Sequence, residues 1–282
     1  MILENTIKQA SQLLKSHNIA SYALDAEIIL SDIMGVTREF LIINNHASIS
    51  KNIIKKYKFA IKRRINREPI AYITGKKEFW SEDFTVNQAT LIPRPETELL
   101  IYKAIDFFKN KRINILDIGT GTGCILLSIL KELNFSRGTG IDISSKAIAT
   151  AEINSKNLNL FSRTKFKVFD LNKYNAGKYD LIVSNPPYIP SRDIKNLSKD
   201  IIHYEPKIAL DGGIDGLDLI KKIIYKSKHL LKRNGLLALE IGFNQYSKVS
   251  SILRQHRFRE MSKEYDYNRN VRCIISTKAR FF

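Results

Sequence analysis

The sequence predicts a mainly parallel, doubly wound α/β sheet that ends in an antiparallel hairpin and is preceded by a small helical domain. Three observations carry this. From Ile113 onward, apolar strands and helices alternate, the pattern of a parallel sheet with crossover helices. A glycine turn, Gly119-Thr120-Gly121-Thr122-Gly123, separates the first of these strands from its helix, at the strand end where such sheets bind ligands. A later apolar strand, 179–184, stops at Asn185-Pro186-Pro187-Tyr188, where the missing proline N–H groups end any ladder.

Residues 1–68 read as a helical bundle. Leu3, Ile7, Ala10, Leu13 and Leu14 keep a helical rhythm, as do Ala23, Ala26, Ile29, Leu30 and Ile33, with Gly35 as a stop. Thr37 is placed to cap a short helix through Leu41, and Ser50 a longer basic one holding Ile53, Ile54, Tyr57 and Ile61. Residues 69–95 are rich in aromatic and β-branched residues, among them Tyr72, Ile73, Phe79, Trp80, Phe84 and Val86, and predict a hairpin linker. Pro93 and Pro95 delay regular structure until Glu96, where a helix can run to Phe108. Arg94 and Glu98 form either a capping cluster or a loop that lies across a ligand.

The catalytic-type domain occupies 96–282. Strands are expected at 113–118, 138–143, 165–169, 179–184 and 236–241, and helices at 124–133, 146–157, 215–232 and 245–255. Apolar runs at 258–265 and 272–276 can pair as the terminal hairpin. Alternate glycines in the 119–123 turn let the backbone pass close under a ligand. A phosphate-binding P-loop needs a closing Gly-Lys-Ser/Thr, and a dinucleotide fingerprint needs G-x-G-x-x-G; the spacing here is G-x-G-x-G. S-adenosylmethionine has no phosphate and needs neither. Asp117, Asp142 and Asp170 each stand at a successive strand end. Asp142 can accept from ribose hydroxyls, and Asp170, with Leu171 beside it, from an adenine amino group. A lone Asp is more often a turn or cap residue; three in register with a glycine turn favour the cofactor reading.

Asn185 is held stiffly at a strand end, because each proline restricts the residue before it. Its amide oxygen and the Pro186 carbonyl are adjacent acceptors that could grip a planar –NH2 group, with Tyr188 as a wall. The bland alternative is an ordinary strand-to-loop exit.

Composition narrows the classes further. No run approaches the roughly 18 apolar residues of a membrane span. Glu4 and a helical start replace the basic, apolar opening of a signal peptide, so a cytoplasmic location and no membrane are expected. Cys124 and Cys273 have no metal-ligand or redox spacing, and the five histidines are scattered; no metal is expected. The net charge of +18 favours polyanionic partners, although the densest runs, 55–58 and 62–67 on one expected helix, read more readily as a solvated face.

With Asn185-Pro186-Pro187-Tyr188 beside the glycine turn, the sequence resembles class I S-adenosylmethionine-dependent methyltransferases that act on planar nitrogens. Further stretches are similar to the HemK/PrmC family, the release-factor glutamine methyltransferases: Arg67 to Gly75, Glu78-Phe79-Trp80, Leu91 to Glu98, Tyr204-Glu205-Pro206 and Ala209 to Leu217. The similarity covers nearly the whole chain. It implies a class I methyltransferase fold, S-adenosyl-L-methionine as cofactor with S-adenosyl-L-homocysteine as product, and a protein substrate: the glutamine of the Gly-Gly-Gln motif in class-1 peptide chain release factors. The helical domain is then expected to recognise the release factor, near the ribosome or its RNA, with the enzyme a monomer. The cofactor would be held by Asp117, Gly119, Thr120, Gly121, Thr122, Gly123, Asp142, Asp170, Leu171 and Asn185. The substrate would meet Asn185, Pro186, Pro187, Tyr188, Arg94 and Glu98, with Asn185, Pro186 and Tyr188 the catalytic group. Two rivals stand: a methyltransferase of nucleic-acid bases, which would need a surface to hold the strand, and a cofactor-binding scaffold without activity.

Overall fold

A computed structural model of the chain describes residues 2–278; the expected domain limits at 1 and 282 lie outside them. The chain forms two compact units. One holds the chain up to Lys76 together with Ser198–Tyr204, the other Lys77–Leu197 and the chain from Glu205 onward.

The first unit contains α1 (Leu3–Ser16), α2 (Tyr22–Met34), α3 (Arg38–Ile43), α4 (Lys51–Ile65) and α5 (Ile70–Thr74). Gly35, with φ 67°, stops α2 in the left-handed conformation that costs glycine least. The Thr37 and Ser50 side chains accept from Phe40 N and Ile53 N, each at 3.3 Å, as the cap positions required. Leu14, Leu30, Tyr57 and Ile61 meet in its core, where the Tyr57 hydroxyl donates to the Ala26 carbonyl at 2.9 Å. Arg64 is buried between Asp25 at 2.7 Å and Asp200 at 2.8 Å. Asp200 comes from the short helix Lys199–Tyr204, which the sequence reading did not anticipate.

The linker differs from expectation. Tyr72 and Ile73 belong to α5, which Pro69 opens and Gly75 (φ 74°) closes; burial of Ala71 and Tyr72 outweighs the strand preference of the aromatic run. Only β1 (Lys76–Phe79) and β2 (Glu82–Thr85) form the hairpin.

The second unit continues with α6 (Glu98–Phe108), β3 (Asn114–Ile118), α7 (Cys124–Glu132), β4 (Arg137–Asp142), α8 (Ser145–Asn157), β5 (Thr164–Val168) and β6 (Tyr179–Ser184). After the Lys199–Tyr204 helix, α9, come α10 (Asp218–Leu230), β7 (Leu231–Glu240), α11 (Tyr246–Gln255), β8 (Phe258–Tyr265) and β9 (Val271–Lys278). The sheet order is β5-β4-β3-β6-β7-β9-β8. The strands from β5 to β7 are parallel, and β9 runs antiparallel to both β7 and β8, as the terminal hairpin predicts. Side chains alternate between faces: Leu181 and Val183 of β6 pack with α6 and α7, whereas Ile182 packs with α10 and α11. Helix α10 starts later than expected, because Gly213 (φ 89°) and Gly216 (φ 74°) hold the preceding loop in left-handed turns. The order reverses between β3 and β6, the switch point where an open α/β sheet leaves a crevice at its strand ends.

Candidate functional site

The crevice is a cavity of about 720 Å³ above the ends of β3, β4 and β6. The glycine turn forms its floor. A Cβ on Gly119 (φ 72°) would meet nothing within 4 Å, so the backbone there faces open space that a ligand can fill. Four of the turn's five backbone donors are spent on the protein. Gly119 N and Thr120 N donate to the Ile141 carbonyl at 2.9 and 3.0 Å, and Gly123 N to the Thr120 carbonyl at 2.7 Å. Gly121 N donates to Asp142 Oδ2 at 3.0 Å. A phosphate-binding loop presents free N–H groups; in this turn those four are occupied.

Two carboxylates stand at this end of the cavity. Asp142 and Asp170 line it. Asp142 Oδ1 also accepts from Ser144 N at 2.9 Å, and burial holds its carboxyl above the ordinary range. Asp170 Oδ1 accepts from Asn172 N at 2.8 Å. Asp117 sits behind the turn with no exposure. Its Oδ2 accepts from the Thr120 hydroxyl at 2.6 Å, while Oδ1 is buried without a partner. Burial pushes the Asp117 carboxyl up to about 7; the Thr120 hydrogen bond opposes this and the charge of Asp142 adds to it. Such a donor set suits a cationic, phosphate-free ligand. S-adenosylmethionine, with its sulfonium and ammonium, fits these residues; a pyrophosphate would face the Asp142 and Asp170 carboxylates and a turn in which four backbone N–H groups are already engaged.

On the β6 side the cavity is edged by Asn185, Pro187, Arg94 and Thr97. Asn185 Nδ2 donates to the Thr97 hydroxyl at 3.1 Å, which in turn donates to Glu240 Oε2 at 2.5 Å. Glu240 is 1% exposed at the end of β7. Arg272 lies 3.7 Å from its other oxygen, to which the Tyr188 hydroxyl donates at 3.4 Å while accepting from Arg272 at 2.9 Å. Burial raises the Glu240 carboxyl; the Thr97 hydrogen bond, Arg272 and Tyr188 pull it back. Among the described residues, none donates to Asn185 Oδ1 or to the Pro186 carbonyl. Two acceptors are thus left at one strand end. Arg94 is anchored to Glu205 at 2.5 Å, and Glu205 also accepts from Ile92 N at 3.3 Å.

The structure therefore brings Gly119, Thr120, Gly121, Thr122, Asp142, Asp170 and Leu171 to one end of the cavity, and Asn185, Pro187 and Arg94 to the other. Five expected residues are not among those lining it. Asp117 and Gly123 lie beneath the turn, where Gly123 packs against Leu127 and Ala151. Pro186 is buried. Tyr188 is not the expected wall, since its hydroxyl is engaged by Glu240 and Arg272 and burial raises it to about 12. Glu98 serves the hairpin instead. It accepts from Trp80 N at 2.9 Å, where Trp80 and Ser81 both hold positive φ. Sequence reasoning missed Thr97, Glu205, Glu240 and Arg272 as site residues. The one available signal was a carboxylate, Glu240, directly after the apolar run 236–239. Among the described residues no cluster of side chains is arranged to hold a metal, and no helix is long and apolar enough to cross a membrane.

A family model described as "PrmC N-terminal domain" matches residues 5–75, and one described as "Methyltransferase domain" matches 109–274. A protein of Clostridium acetobutylicum named "Release factor glutamine methyltransferase" is 38% identical over 99% of each chain. Proteins of the same name from Buchnera aphidicola subsp. Acyrthosiphon pisum and Caulobacter vibrioides are 38% and 35% identical, covering 99% and 95% of this chain and 99% and 94% of theirs. A solved methyltransferase from Pyrococcus furiosus shares the fold at 14% identity, with a TM-score of 0.54 over 82% of this chain and all of that one.

Proposed function

Because this chain belongs to the release factor glutamine methyltransferase family, we propose that it methylates the side-chain amide nitrogen of the glutamine in the Gly-Gly-Gln motif of class-1 peptide chain release factors. The fold is that of class I S-adenosylmethionine-dependent methyltransferases, and S-adenosylmethionine is the methyl donor.

The observation that carries the reading is the pair of unclaimed acceptors at the end of β6. An amide nitrogen is a poor nucleophile because its lone pair is delocalised. Asn185 Oδ1 and the Pro186 carbonyl accept the two N–H bonds of the substrate amide and aim its nitrogen across the cavity towards the glycine turn. Such positioning contributes roughly 7 kcal/mol or more. Positive charge that develops on the nitrogen strengthens both hydrogen bonds, so they favour the transition state over the ground state. The bound cofactor supplies an activated methyl group on a sulfonium. Asp142 and Asp170 are assigned to its ribose and adenine ends, and the buried Asp117 carboxylate to its cationic end. Arg94, held by Glu205, fixes the loop over the substrate edge. The extra proton of the methylated amide leaves to water.

The helical unit is assigned to release-factor docking, and the basic balance of the chain suits work close to ribosomal RNA in the cytoplasm. The test is transfer of labelled methyl from S-adenosylmethionine to purified release factor, to the same factor with its Gly-Gly-Gln glutamine changed to alanine, and to duplex and structured nucleic acids. Label on the unaltered factor alone is expected. Label on nucleic acid alone overturns the substrate and means that Asn185 grips a base.

A further inference from the structure

We propose that Thr97 and Glu240 are positioning residues that set which way round the Asn185 amide is presented, and thereby make the site select an amide over a carboxylate. This deepens the proposed function and rests on its assignment of Asn185 as the substrate's acceptor.

The available hydrogen-bond donors decide the orientation. A carboxamide has one acceptor face and one donor face of nearly equal shape, so only its partners decide its orientation. Thr97 is 2% exposed and has a single hydroxyl proton. That proton is committed to Glu240 Oε2 at 2.5 Å. Towards Asn185 the hydroxyl can therefore only accept, and it takes Nδ2 at 3.1 Å. The amide oxygen is left for the cavity. Glu240 can impose this because it is an acceptor on both oxygens: Thr97 donates to one, and Tyr188 and Arg272 address the other. Tyr188 is itself fixed as a donor towards Glu240, because its oxygen already accepts from Arg272 at 2.9 Å. The polarity runs one way, from Arg272 through Tyr188 to Glu240, and from Asn185 through Thr97 to the same carboxylate.

The consequence is selectivity. With Asn185 Oδ1 and the Pro186 carbonyl assigned to the substrate, a glutamine –NH2 finds two partners, whereas a glutamate carboxylate meets two lone-pair oxygens and leaves acceptors unpaired. Glu240→Gln keeps the shape and inverts the pattern. The new carbonyl is drawn to Arg272 and Tyr188, so its –NH2 turns to Thr97. The Thr97 proton is then released towards Asn185, whose amide rotates to accept it and presents Nδ2 to the cavity.

The experiment measures methylation of purified release factor, and inhibition by the same factor with its Gly-Gly-Gln glutamine changed to glutamate, in four proteins: wild type, Glu240→Gln, Thr97→Val and Thr97→Ser. Cofactor affinity and thermal melting are recorded for each. Wild type is expected to bind the glutamate factor at least about tenfold more weakly than the glutamine factor, the scale of one unpaired buried group. In Glu240→Gln and Thr97→Val that ratio collapses towards one, and kcat falls at least about tenfold while cofactor affinity holds. Thr97→Ser, which keeps the hydroxyl, restores the discrimination. Loss of activity with the wild-type ratio intact in either variant overturns the orienting role and leaves a structural one. If Glu240→Gln does not fold, the contrast between the two Thr97 variants decides in the same way. Failure of wild type itself to discriminate strikes instead at the assignment of Asn185 as substrate acceptor.

Discussion

Arg94 and Glu205 meet at 2.5 Å across 111 positions of sequence. The Glu205 side chain is 1% exposed and that of Arg94 30%, so the pair closes a buried carboxylate with a partly solvated guanidinium. Its other oxygen takes the Ile92 N–H, which makes Glu205 the fastener of the loop from Leu91 to Thr97. Removing one member of a buried pair costs more than the pair contributes, because the survivor is stranded. Glu205→Ala is expected to destabilise the protein by about 2 kcal/mol, the part-exposure of Arg94 softening the loss. It should raise KM for the release factor at least about tenfold, on the scale of one lost buried interaction, with cofactor affinity near wild type. Unchanged urea denaturation and KM would contradict the fastening role.

Asn185→Ala removes one of the two acceptors and nothing from the glycine turn. Turnover should fall by at least about a thousandfold, in line with the loss of an oriented group acting in the transition state. Cofactor affinity, read by calorimetry, should stay within a few fold. A parallel loss of both would make Asn185 a cofactor residue rather than an orienting one.

Asp142 faces the cavity and also ties the turn, through Gly121 N at 3.0 Å and Ser144 N at 2.9 Å. Asp142→Ala is expected to weaken cofactor binding by about ten- to a hundredfold, combining a lost ligand contact with an unpaired turn N–H. Equal affinity in the variant and wild type would remove the ribose assignment.

Much of this was readable in one dimension, for a physical reason. The strand ends, the glycine turn and Asn185-Pro186-Pro187-Tyr188 are local devices, in which proline and glycine dictate backbone shape whatever surrounds them. Strand β6 and hairpin strand β8 fall where their apolar runs do. What escaped depends on contacts between distant segments. Thr97 and Glu240 are 143 positions apart, and no spacing rule links them. Tyr188 looked like a wall because the partners of its hydroxyl lie on β7 and β9. Glu98 looked like a loop residue reaching a ligand, but the hairpin N–H it caps comes from Trp80, upstream of it. Residues 70–74 looked like part of the hairpin linker because aromatic content speaks for burial as readily as for extension.

Asn154 is another such long-range device. It has no exposure, and its amide is fully used: Oδ1 accepts from Thr85 N at 2.7 Å, and Nδ2 donates to the carbonyls of Thr85 at 3.0 Å and Thr122 at 2.9 Å. It thus ties helix α8 to strand β2 and to the glycine turn. Asn154→Leu strands the buried Thr122 carbonyl and the part-buried N–H and carbonyl of Thr85, at about 1 kcal/mol each. A loss of about 3 kcal/mol is expected in urea denaturation, with weaker cofactor binding as the turn loosens. An unchanged midpoint would show that water or a backbone shift replaces the amide.

Asp117 gives the site a pH signature. In the fold its carboxyl is raised by burial to about 7 from an ordinary 3.8, so between those values the folded protein holds a proton that the unfolded chain has released. The stability it contributes is therefore present at low pH and is lost as pH rises through about 7. A cationic ligand reverses the preference. If the unpartnered Asp117 Oδ1 accepts from the cofactor's ammonium, the ionised form is stabilised and binding expels the proton. Cofactor affinity should then strengthen from about pH 6 to about pH 8 and flatten above, with a proton released at the lower pH. Calorimetry in buffers of different ionisation enthalpy counts that proton directly. Asp117→Asn, with no proton to expel, should bind more weakly and lose the slope. Retention of the slope in the variant would move its origin to Asp142, the cavity-lining carboxyl that burial also raises.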